Sequence, residues 1–507
     1  FLRPLFSLVL AHLLRLRHCM TGLFWLEYRS RPSTPHPAPP HPARSRFPSP
    51  TSRHLMQPLV PFPVMRCTIG LTAVFLCATC SRWDVGIDGL DKISSEQTVS
   101  DWSGWRASPP TKASLDDKTL FNASTGHVLW RVPLPAGSSS PTVWADQVIA
   151  TFATRERHVG VTCVDRLGSV LWKQTLAEAS GPTHHKTGYA ASTPATNGQF
   201  IYCSFGEIGL FCLSMEGKLI WHAGAHQVHH EWGHAASPLL AGNLIIQLAD
   251  GQSGSFIAAY DAQTGQRKWK TDRDSNGCWS SPILFKHPIS GRQWVVVNGS
   301  GRNSGPGELT GYDLTTGKPA WSVAGTSNTP APTAVIEEDL IISASGNNGP
   351  IMAVRINAFD ETRVVWRRAA GGPYVPTGTI TNQLFLQIGD TGRLSCYSTV
   401  SGKRRWSTRL RGQFTASLVN TGDHVLATSE RGELFFVAFD GDTFEVTATY
   451  SLGERTLATP TLAGGRLYVR TARHLICMGR ADDASRLSVE KQPATAAHVS
   501  TFQAASE

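Results

Sequence analysis

From about residue 121 to residue 479, short apolar runs alternate with turn residues in a unit that recurs eight times. Each unit opens with small residues and an apolar run, passes through a turn and two more apolar runs, and ends in a run that closes on tryptophan. The opening small residues precede a proline in all but one unit: the prolines are Pro141, Pro194, Pro238, Pro282, Pro330 with Pro332, Pro376 and Pro460, and the unit at Ser417 lacks one. The pattern predicts four short strands in each unit, with the proline-led strand innermost, because proline at the start of a strand loses little hydrogen bonding.

Tryptophan recurs out of phase with the proline-led runs. The copies end at Trp130, Trp172, Trp221, Trp269, Trp321, Trp366 and Trp406, and a degenerate eighth copy ends at Tyr450. Successive copies are 42, 49, 48, 52, 45, 40 and 44 residues apart. A period in the forties with strand-like content is typical of a propeller blade.

The two ends of this array complement each other. Trp130 precedes the first proline-led run, whereas the last such run, at Pro460, continues to about Gly479 with no tryptophan after it. We therefore predict that residues 121–133 supply the outer strand of the last blade, which leaves no unpaired edge at the join. The predicted fold is all-β: a single eight-bladed β-propeller of four-stranded blades, closed by pairing of the N-terminal strand with the last blade.

The best-formed copies are AAYDAQTGQRKW at residues 258–269 and GYDLTTGKPAW at 311–321. They resemble the repeat of the PQQ-binding-like, quinoprotein-type β-propeller family, and the resemblance covers about residues 121–479. We expect each tryptophan of the motif to dock flat between neighbouring blades with its indole N–H on a carbonyl, a structural role rather than a cofactor-binding one. The upstream DWSGWR, with Trp102 and Trp105, resembles a segment at the mature N-terminus of many exported, uncharacterised members of that family, and we place this chain in an exported, non-enzymatic branch.

The formal charge of +9 comes almost entirely from one end of the chain. Residues 1–80 hold nine arginines and one acid, Glu27, which gives +8 and leaves +1 for the remainder. The main body therefore has no overall charge that favours a nucleic-acid partner.

The sequence of the N-terminal region indicates that the chain is exported. We interpret residues 1–64 as a non-native or disordered Pro/Arg-rich extension, with apolar patches within 1–26 that arginines interrupt. Over residues 65–80 a positive charge, an apolar run and small residues follow in the order typical of a signal peptide. The apolar run is too short to span a bilayer stably. Lipidation of Cys80 is left open. Residues 81–120 are a lead-in segment and 480–507 a disordered tail, and we expect a periplasmic or cell-envelope location with no transmembrane span.

The cysteines argue against quinone chemistry. The resemblance implies that dehydrogenases of this fold carry two adjacent cysteines, a calcium site and an aspartate base, and this chain has no adjacent cysteine pair. We predict no bound cofactor, neither PQQ nor calcium. Equivalent positions on third strands hold Cys163, Cys212, Cys396 and Cys477, which predicts small apolar packing. A disulfide between Cys203 and Cys212, which flank FGEIG, is left open.

Histidines concentrate in loops that run from an outer strand to the next inner strand. His230 and His234 formally match the HExxH zinc pattern, but Gly233 and the strand that follows exclude the helix it requires. Such loops line one mouth of the central channel, where they could bind a metal or an anionic ligand or simply bind water. The residues predicted on this rim are His184, His185, Tyr189, His229, His230, Trp232, His234, Arg273, Trp279 and Arg302.

We therefore predict an exported, monomeric β-propeller scaffold that binds a protein or small ligand of the cell envelope at the channel mouth, with no catalysis of its own. No catalytic residue and no metal ligand is assigned. Two alternatives remain: a PQQ-dependent dehydrogenase-like oxidoreductase, and a sensor module for a metal or small ligand. Function has to be argued from the site, because fold analogy alone does not specify it.

Overall fold

The computed structural model describes residues 101–106 and 126–480, except 225, 302–304, 358 and 423. Predictions for residues 1–100, 107–125 and 481–507 lie outside the described residues, and so does the predicted rim residue Arg302. Apart from one 3-10 turn at Gly206–Ile208, every regular element in the described part is a strand. No helix among these residues has the length and apolar character needed to cross a membrane.

Eight four-stranded antiparallel sheets make up the described chain, each a blade. The first strand, β1 (Gly126–Pro133), belongs to blade 8. Blade 1 contains β2 (Thr142–Trp144), β3 (Gln147–Ala153), β4 (His158–Asp165) and β5 (Val170–Glu178). Blade 2 contains β6 (Ala195–Thr196), β7 (Phe200–Ser204), β8 (Leu210–Ser214) and β9 (Leu219–Ala223). Blade 3 contains β10 (Leu239–Ala241), β11 (Leu244–Ala249), β12 (Phe256–Asp261) and β13 (Arg267–Asp272).

The remaining blades continue the same order. Blade 4 contains β14 (Ile283–Lys286), β15 (Gln293–Gly299), β16 (Gly307–Asp313) and β17 (Pro319–Thr326). Blade 5 contains β18 (Val335–Glu337), β19 (Leu340–Ala344), β20 (Gly349–Ile356) and β21 (Thr362–Gly372). Blade 6 contains β22 (Thr379–Thr381), β23 (Leu384–Ile388), β24 (Arg393–Ser398) and β25 (Arg404–Arg409). Blade 7 contains β26 (Val419–Asn420), β27 (His424–Thr428), β28 (Glu433–Phe439) and β29 (Phe444–Ser451), and blade 8 adds β30 (Thr461–Ala463), β31 (Arg466–Arg470) and β32 (His474–Arg480) to β1.

The ring closes as predicted. Strand β1 pairs antiparallel with β32, from Gly126 opposite Arg480 to Pro133 opposite His474. The first strands of neighbouring blades contact one another, including β2 with both β6 and β30, so these strands surround the central channel. The all-β, eight-bladed architecture is therefore confirmed.

Each tryptophan at the end of a blade lies at a β-bulge, directly opposite a small residue on the third strand. The opposing residues are Cys163, Cys212, Ala259, Gly311, Ala353, Cys396 and Cys477. A large ring on one strand needs a small neighbour on the next if the blades are to pack at native density. This explains why buried cysteines recur on third strands.

In blade 7 the large residue of this pair is on the third strand and the small residue is on the fourth. Its bulge places Phe436 on the third strand opposite Ala448 on the fourth. The position equivalent to tryptophan is therefore Ala448, and the assignment of Tyr450 to that position was wrong by two residues. The aromatic ring has moved to the other strand, so the pair keeps one large and one small member.

The indole N–H groups join neighbouring blades. Six of them donate to a backbone carbonyl in the turn of the next blade over 2.6–3.3 Å, from Trp130, Trp172, Trp221, Trp269, Trp366 and Trp406. The indole nitrogen of Trp321 is buried without a partner. The turn beneath the ring requires glycine: at Gly265, φ is +71° and a Cβ would lie 2.7 Å from the Trp221 ring.

A ring of hydroxyl groups, here the hydroxyl girdle, encircles the channel just before the first strand of each blade. A backbone N–H donates to the serine or threonine hydroxyl of the next blade over 2.9–3.2 Å in seven successive links. The girdle residues are Ser140, Thr193, Ser237, Ser281, Thr333, Thr377, Ser417 and Thr459. Ser417 keeps the hydroxyl although its unit lacks the proline, so the hydroxyl is the feature that all eight units share.

Cys203 and Cys212 do not form a disulfide. On the paired strands β7 and β8, Cys203 lies opposite Phe211 and Cys212 opposite Tyr202, so the two thiols point to opposite faces of the sheet. Both thiols are free and buried. Burial raises the pKa of Cys212 to about 12, which leaves it protonated and unreactive at neutral pH.

Candidate functional site

The eight loops that link the outer strand of one blade to the inner strand of the next form one face of the ring, here the connector face. The opposite face, with the turns between first and second strands, is the turn face. Residues 101–106 enter the ring from the turn face, where Asp101 accepts the N–H of Ala145 over 2.8 Å. The backbone of Trp102 then pairs with that of Val143 on β2: the N–H of Trp102 donates to the carbonyl of Val143 over 2.7 Å, and the N–H of Val143 donates to the carbonyl of Trp102 over 3.0 Å.

The same segment reaches the opposite side of the channel within four residues. The indole N–H of Trp105 donates to the girdle hydroxyl of Thr333 over 3.0 Å. The guanidinium of Arg106 donates to the carbonyls of Gly378 over 2.8 Å and Leu418 over 3.2 Å. The carbonyl of Ser103 accepts the backbone N–H of Thr196 in blade 2 over 2.9 Å. Blades 1 and 2 are thus tied to blades 5, 6 and 7 across the axis, and we call residues 101–106 the channel clasp.

Arg106 is an unusual component of the clasp. Its two partners are carbonyls, and removal from water lowers its pKa to about 10. No carboxylate of the described residues is recorded within ion-pair distance of it. The clasp therefore runs through the channel from the turn face to the hydroxyl girdle, where it places an aromatic ring and a cation held by backbone dipoles.

Five predicted rim residues come together on the connector face. The rings of His184 and His185 are 4.2 Å apart, and the backbone N–H of His184 donates to the carbonyl of Trp232 over 3.1 Å. Trp232 and Trp279 have ring centroids 5.6 Å apart, and His230 meets Trp279 edge-to-face at 4.7 Å. We call these five residues the aromatic cluster.

The aromatic cluster is both rigid and accessible. The indole N–H of Trp279 donates over 3.0 Å to the carbonyl of Gly233, which belongs to the neighbouring connector. Trp232 is 38% exposed, a large fraction for tryptophan. Burial, with a contribution from His234, lowers the pKa of His230, so this imidazole is neutral at pH 7 and packs as an aromatic ring.

The other histidines and Tyr189 lie apart from this cluster. His229 contacts Glu207 over 3.3 Å, and His234 contacts the carbonyl of Val228 over 3.2 Å. The hydroxyl of Tyr189 donates to a loop carbonyl over 2.7 Å. In the part of the chain that the structure describes, no group of three or more His, Cys, Asp or Glu side chains is arranged to hold a metal ion.

Arg273 was predicted on the rim, and this was wrong. Its guanidinium forms a bidentate ion pair with the buried Asp250, with distances of 2.8 and 3.0 Å, and also donates to the Tyr312 hydroxyl. Its side chain is only 7% exposed. The paired and buried guanidinium joins Asp250 of blade 3 to Tyr312 of blade 4 and is unavailable to a ligand.

Sequence reasoning missed a basic cavity beside the aromatic cluster. It has a volume of about 160 Å³ and is walled by connectors that meet over blade 8. Lys186 and Arg455 line it, and Lys186 forms a 2.6 Å ion pair with Glu430, whose carboxylate is 3.9 Å from Arg455. Lys186 adjoins His185 in the sequence, but Glu430 lies 244 residues away, so only the ring geometry reveals the pair.

The residues present do not fit a quinone cofactor with calcium. The clasp already occupies the channel, the chain has no adjacent cysteine pair, and the six thiols of the described region are buried on blade strands or beside them. A calcium site needs several oxygen ligands in one place, and the carboxylates of Glu430, Asp250 and Glu454 are each engaged with a basic side chain.

Comparison with known proteins agrees with this architecture. A family profile described as "Outer membrane protein assembly factor BamB" matches residues 155–377 and 353–445, more than half of the chain. Outer membrane protein assembly factor BamB of Burkholderia pseudomallei (strain K96243) is 27% identical over 282 residues, 52% of this chain and 66% of that protein. Quinohemoprotein alcohol dehydrogenase ADH-IIG of Pseudomonas putida is 29% identical over 113 residues, 21% of this chain and 15% of the enzyme. The matched segments span less than two thirds of either relative.

Solved structures share the fold at low identity. BamB from Moraxella catarrhalis superposes with a TM-score of 0.50 at 14% identity, over 70% of this chain and 98% of that chain. The quinohemoprotein alcohol dehydrogenase from Comamonas testosteroni superposes with a TM-score of 0.58 at 16% identity, over 77% of this chain and 83% of that chain. From the profile match, the repeat pattern and the closed eight-bladed ring together, this chain belongs to the BamB-like family of PQQ-type β-propellers.

Proposed function

We propose that this chain is an exported scaffold of the cell envelope that binds a protein partner on its connector face and catalyses no reaction of its own. The similarity to BamB, by its name an assembly factor for outer membrane proteins, supports a role in holding other proteins. A monomeric ring whose channel is filled by its own clasp would hold a partner on an outer face, which suits such a role.

The observation that carries the proposal is the aromatic cluster. Trp232 and Trp279 are large rings, partly exposed, and fixed by bonds to neighbouring connectors before any partner arrives. Rigid tryptophans in such settings dominate binding energy at protein interfaces, and truncation of one costs about 2 kcal/mol or more, about 30-fold in affinity. The clasp fills the channel from the turn face to the girdle, and the exposed ring of Trp232 lies on the connector face, so we assign partner binding to that face.

The titratable groups support a non-catalytic role. Buried thiols are protonated at neutral pH, since burial raises the pKa of Cys163 to about 12 and that of Cys278 to about 12. The buried carboxylate of Asp250 is neutralised by Arg273. A nucleophile or general base would need a titratable group free to react.

Site-specific photo-crosslinking in cells tests the proposal. A benzophenone amino acid is placed at Glu231, which is exposed beside Trp232, and separately at Ile289, which is 88% exposed on the turn face. We expect a discrete envelope-protein adduct from position 231, none from 289, and loss of the adduct when Trp279 is replaced by alanine. Equal labelling from both positions, or no adduct from 231, would refute binding on this face. Fractionation of the same cells tests export, since a cytoplasmic chain would exclude an envelope role.

A further inference from the structure

We propose that the basic cavity over blade 8 is a carboxylate-binding subsite, which receives an aspartate or glutamate side chain from a protein partner docked on the connector face. The inference rests on the proposed function and adds the chemistry of the partner segment. Its core residues are Arg455 and Lys186.

The cavity is built by three connectors and two turns. Its volume of about 160 Å³ is well above the minimum for a single water molecule and suits a carboxylate with one or two methylene groups. Its lining contains Lys186, Arg455 and His185 and no acidic residue. An anion that enters therefore meets positive charge on the walls without a competing carboxylate in the cavity itself.

Arg455 has hydrogen-bonding capacity to spare. Its guanidinium carries five N–H donors, and its nearest recorded acidic partner, Glu430, is 3.9 Å away, beyond hydrogen-bond distance. The side chain is about half exposed. A planar fork of donors at the wall of a carboxylate-sized cavity is the arrangement that binds a carboxylate through two parallel bonds.

Lys186 is already in position for such a ligand. Its ammonium donates over 2.6 Å to Glu430, which also accepts a 2.8 Å bond from Thr415. Although partial burial opposes ionisation, the bond from Lys186 holds the pKa of Glu430 below its ordinary value. Glu430 lies outside the cavity lining, and its bond fixes the orientation of the Lys186 ammonium before a ligand arrives.

The cavity also has apolar walls and a direct connection to the aromatic cluster. Tyr189 and Leu457 line it, and their rings and methyl groups lower the local polarity, which strengthens a charged bond. His185 lines the cavity, and its neighbour His184 bonds to the backbone of Trp232. One extended segment can therefore place a carboxylate in the cavity and an apolar residue against the aromatic cluster.

Isothermal titration of the full chain at low salt, with an acetylated and amidated peptide Gly-Leu-Glu-Leu-Gly, tests the proposal. The peptide's only charge is the glutamate, and the same peptide with glutamine is the matched probe. We expect the dissociation constant of the glutamate peptide to rise about 10-fold or more in Arg455→Gln and in Lys186→Gln. It stays unchanged in Arg405→Gln, an exposed arginine on the outer strand of blade 6. The glutamine peptide binds wild type no better than it binds Arg455→Gln.

Three outcomes would overturn the inference. Equal binding of the two peptides would mean that the carboxylate contributes nothing. An unchanged affinity in Arg455→Gln would remove the proposed ligand. Displacement of the peptide by sodium phosphate below the concentration at which potassium acetate displaces it would identify an inorganic-anion site instead. Melting curves show whether each variant is folded. The crosslink from position 231 and the peptide titration are independent, so either can fail while the other succeeds.

Discussion

The hydroxyl girdle makes a sharp prediction about stability, because its eight residues look alike in sequence yet differ in one contact. Ser237 accepts the backbone N–H of Thr193 over 3.0 Å, and both residues are buried. The hydroxyl of Ser140, equally buried at the corresponding place in blade 1, has no partner. Replacement of each serine by alanine removes the same oxygen from the same kind of site.

The two substitutions have different energetic consequences. Ser237→Ala leaves the N–H of Thr193 without an acceptor in a buried place, and such a loss costs about 1–3 kcal/mol. Ser140→Ala removes an oxygen that is itself unsatisfied, so we expect a change within about 0.5 kcal/mol. The volume lost is the same in both variants and cancels in the comparison.

Urea unfolding of the two variants and the wild type is followed by tryptophan fluorescence. If the three proteins share the same dependence of unfolding free energy on urea concentration, the shift in transition midpoint gives the difference in stability. We expect Ser237→Ala to unfold at lower urea than wild type and Ser140→Ala to coincide with it. A third variant, Ser237→Thr, keeps the hydroxyl and serves as a control for side-chain change at the site. If both alanine variants lost the same stability, hydrogen bonding through the girdle would not be what links the blades.

Three further predictions follow from the packing and charge of the ring. Trp105→Phe keeps the ring but deletes the bond to Thr333, so we expect a loss of about 1 kcal/mol in unfolding free energy, measured by thermal melting against Trp105→Ala, which also loses the ring and costs more. Phe436→Ala empties a buried site and should cost about 3 kcal/mol or more, and Ala448→Trp in the same chain, which restores the arrangement of the other blades, should recover part of it in a double-mutant cycle. Burial, reinforced by neighbouring cations, lowers the pKa of His226 to about 4. Its unfolded form takes up a proton below about pH 6.5 while the folded form does not, so stability should fall by up to about 3 kcal/mol between pH 6.5 and 4, and His226→Gln should flatten that part of the pH–stability curve.

The fold was predictable because nearly every blade repeats the same short sequence pattern. A tryptophan at the end of one run and a proline-led run after it recur at blade spacing, and the unmatched copies at the two ends predict closure. The pairing of β1 with β32 confirms that prediction. Blade 7 was misjudged because its aromatic residue moved to the opposing strand, and a search for an aromatic at the usual position found Tyr450 instead of Ala448.

The site was less predictable, for a physical reason. Loop position indicates which face of the ring a residue lies on, and His184, Trp232 and Trp279 lie together on the connector face. It does not indicate which way a side chain points. The Arg273 side chain points inward because it forms an ion pair with Asp250, which is buried and lies on another loop. Residues such as Lys186 and Glu430 meet only after the ring closes, so no local pattern marks them.

Repetition itself separates structure from function in this molecule. The residues that build the ring occur in nearly every blade: the tryptophan, its small partner and the girdle hydroxyl. A residue that a blade needs for packing should therefore recur at equivalent positions. Trp279, Lys186 and Arg455 have no such recurrence, and all three lie on connectors, where repeat proteins vary without loss of the core. Because packing does not require these three residues, their arrangement around one open mouth is best explained by what the mouth binds.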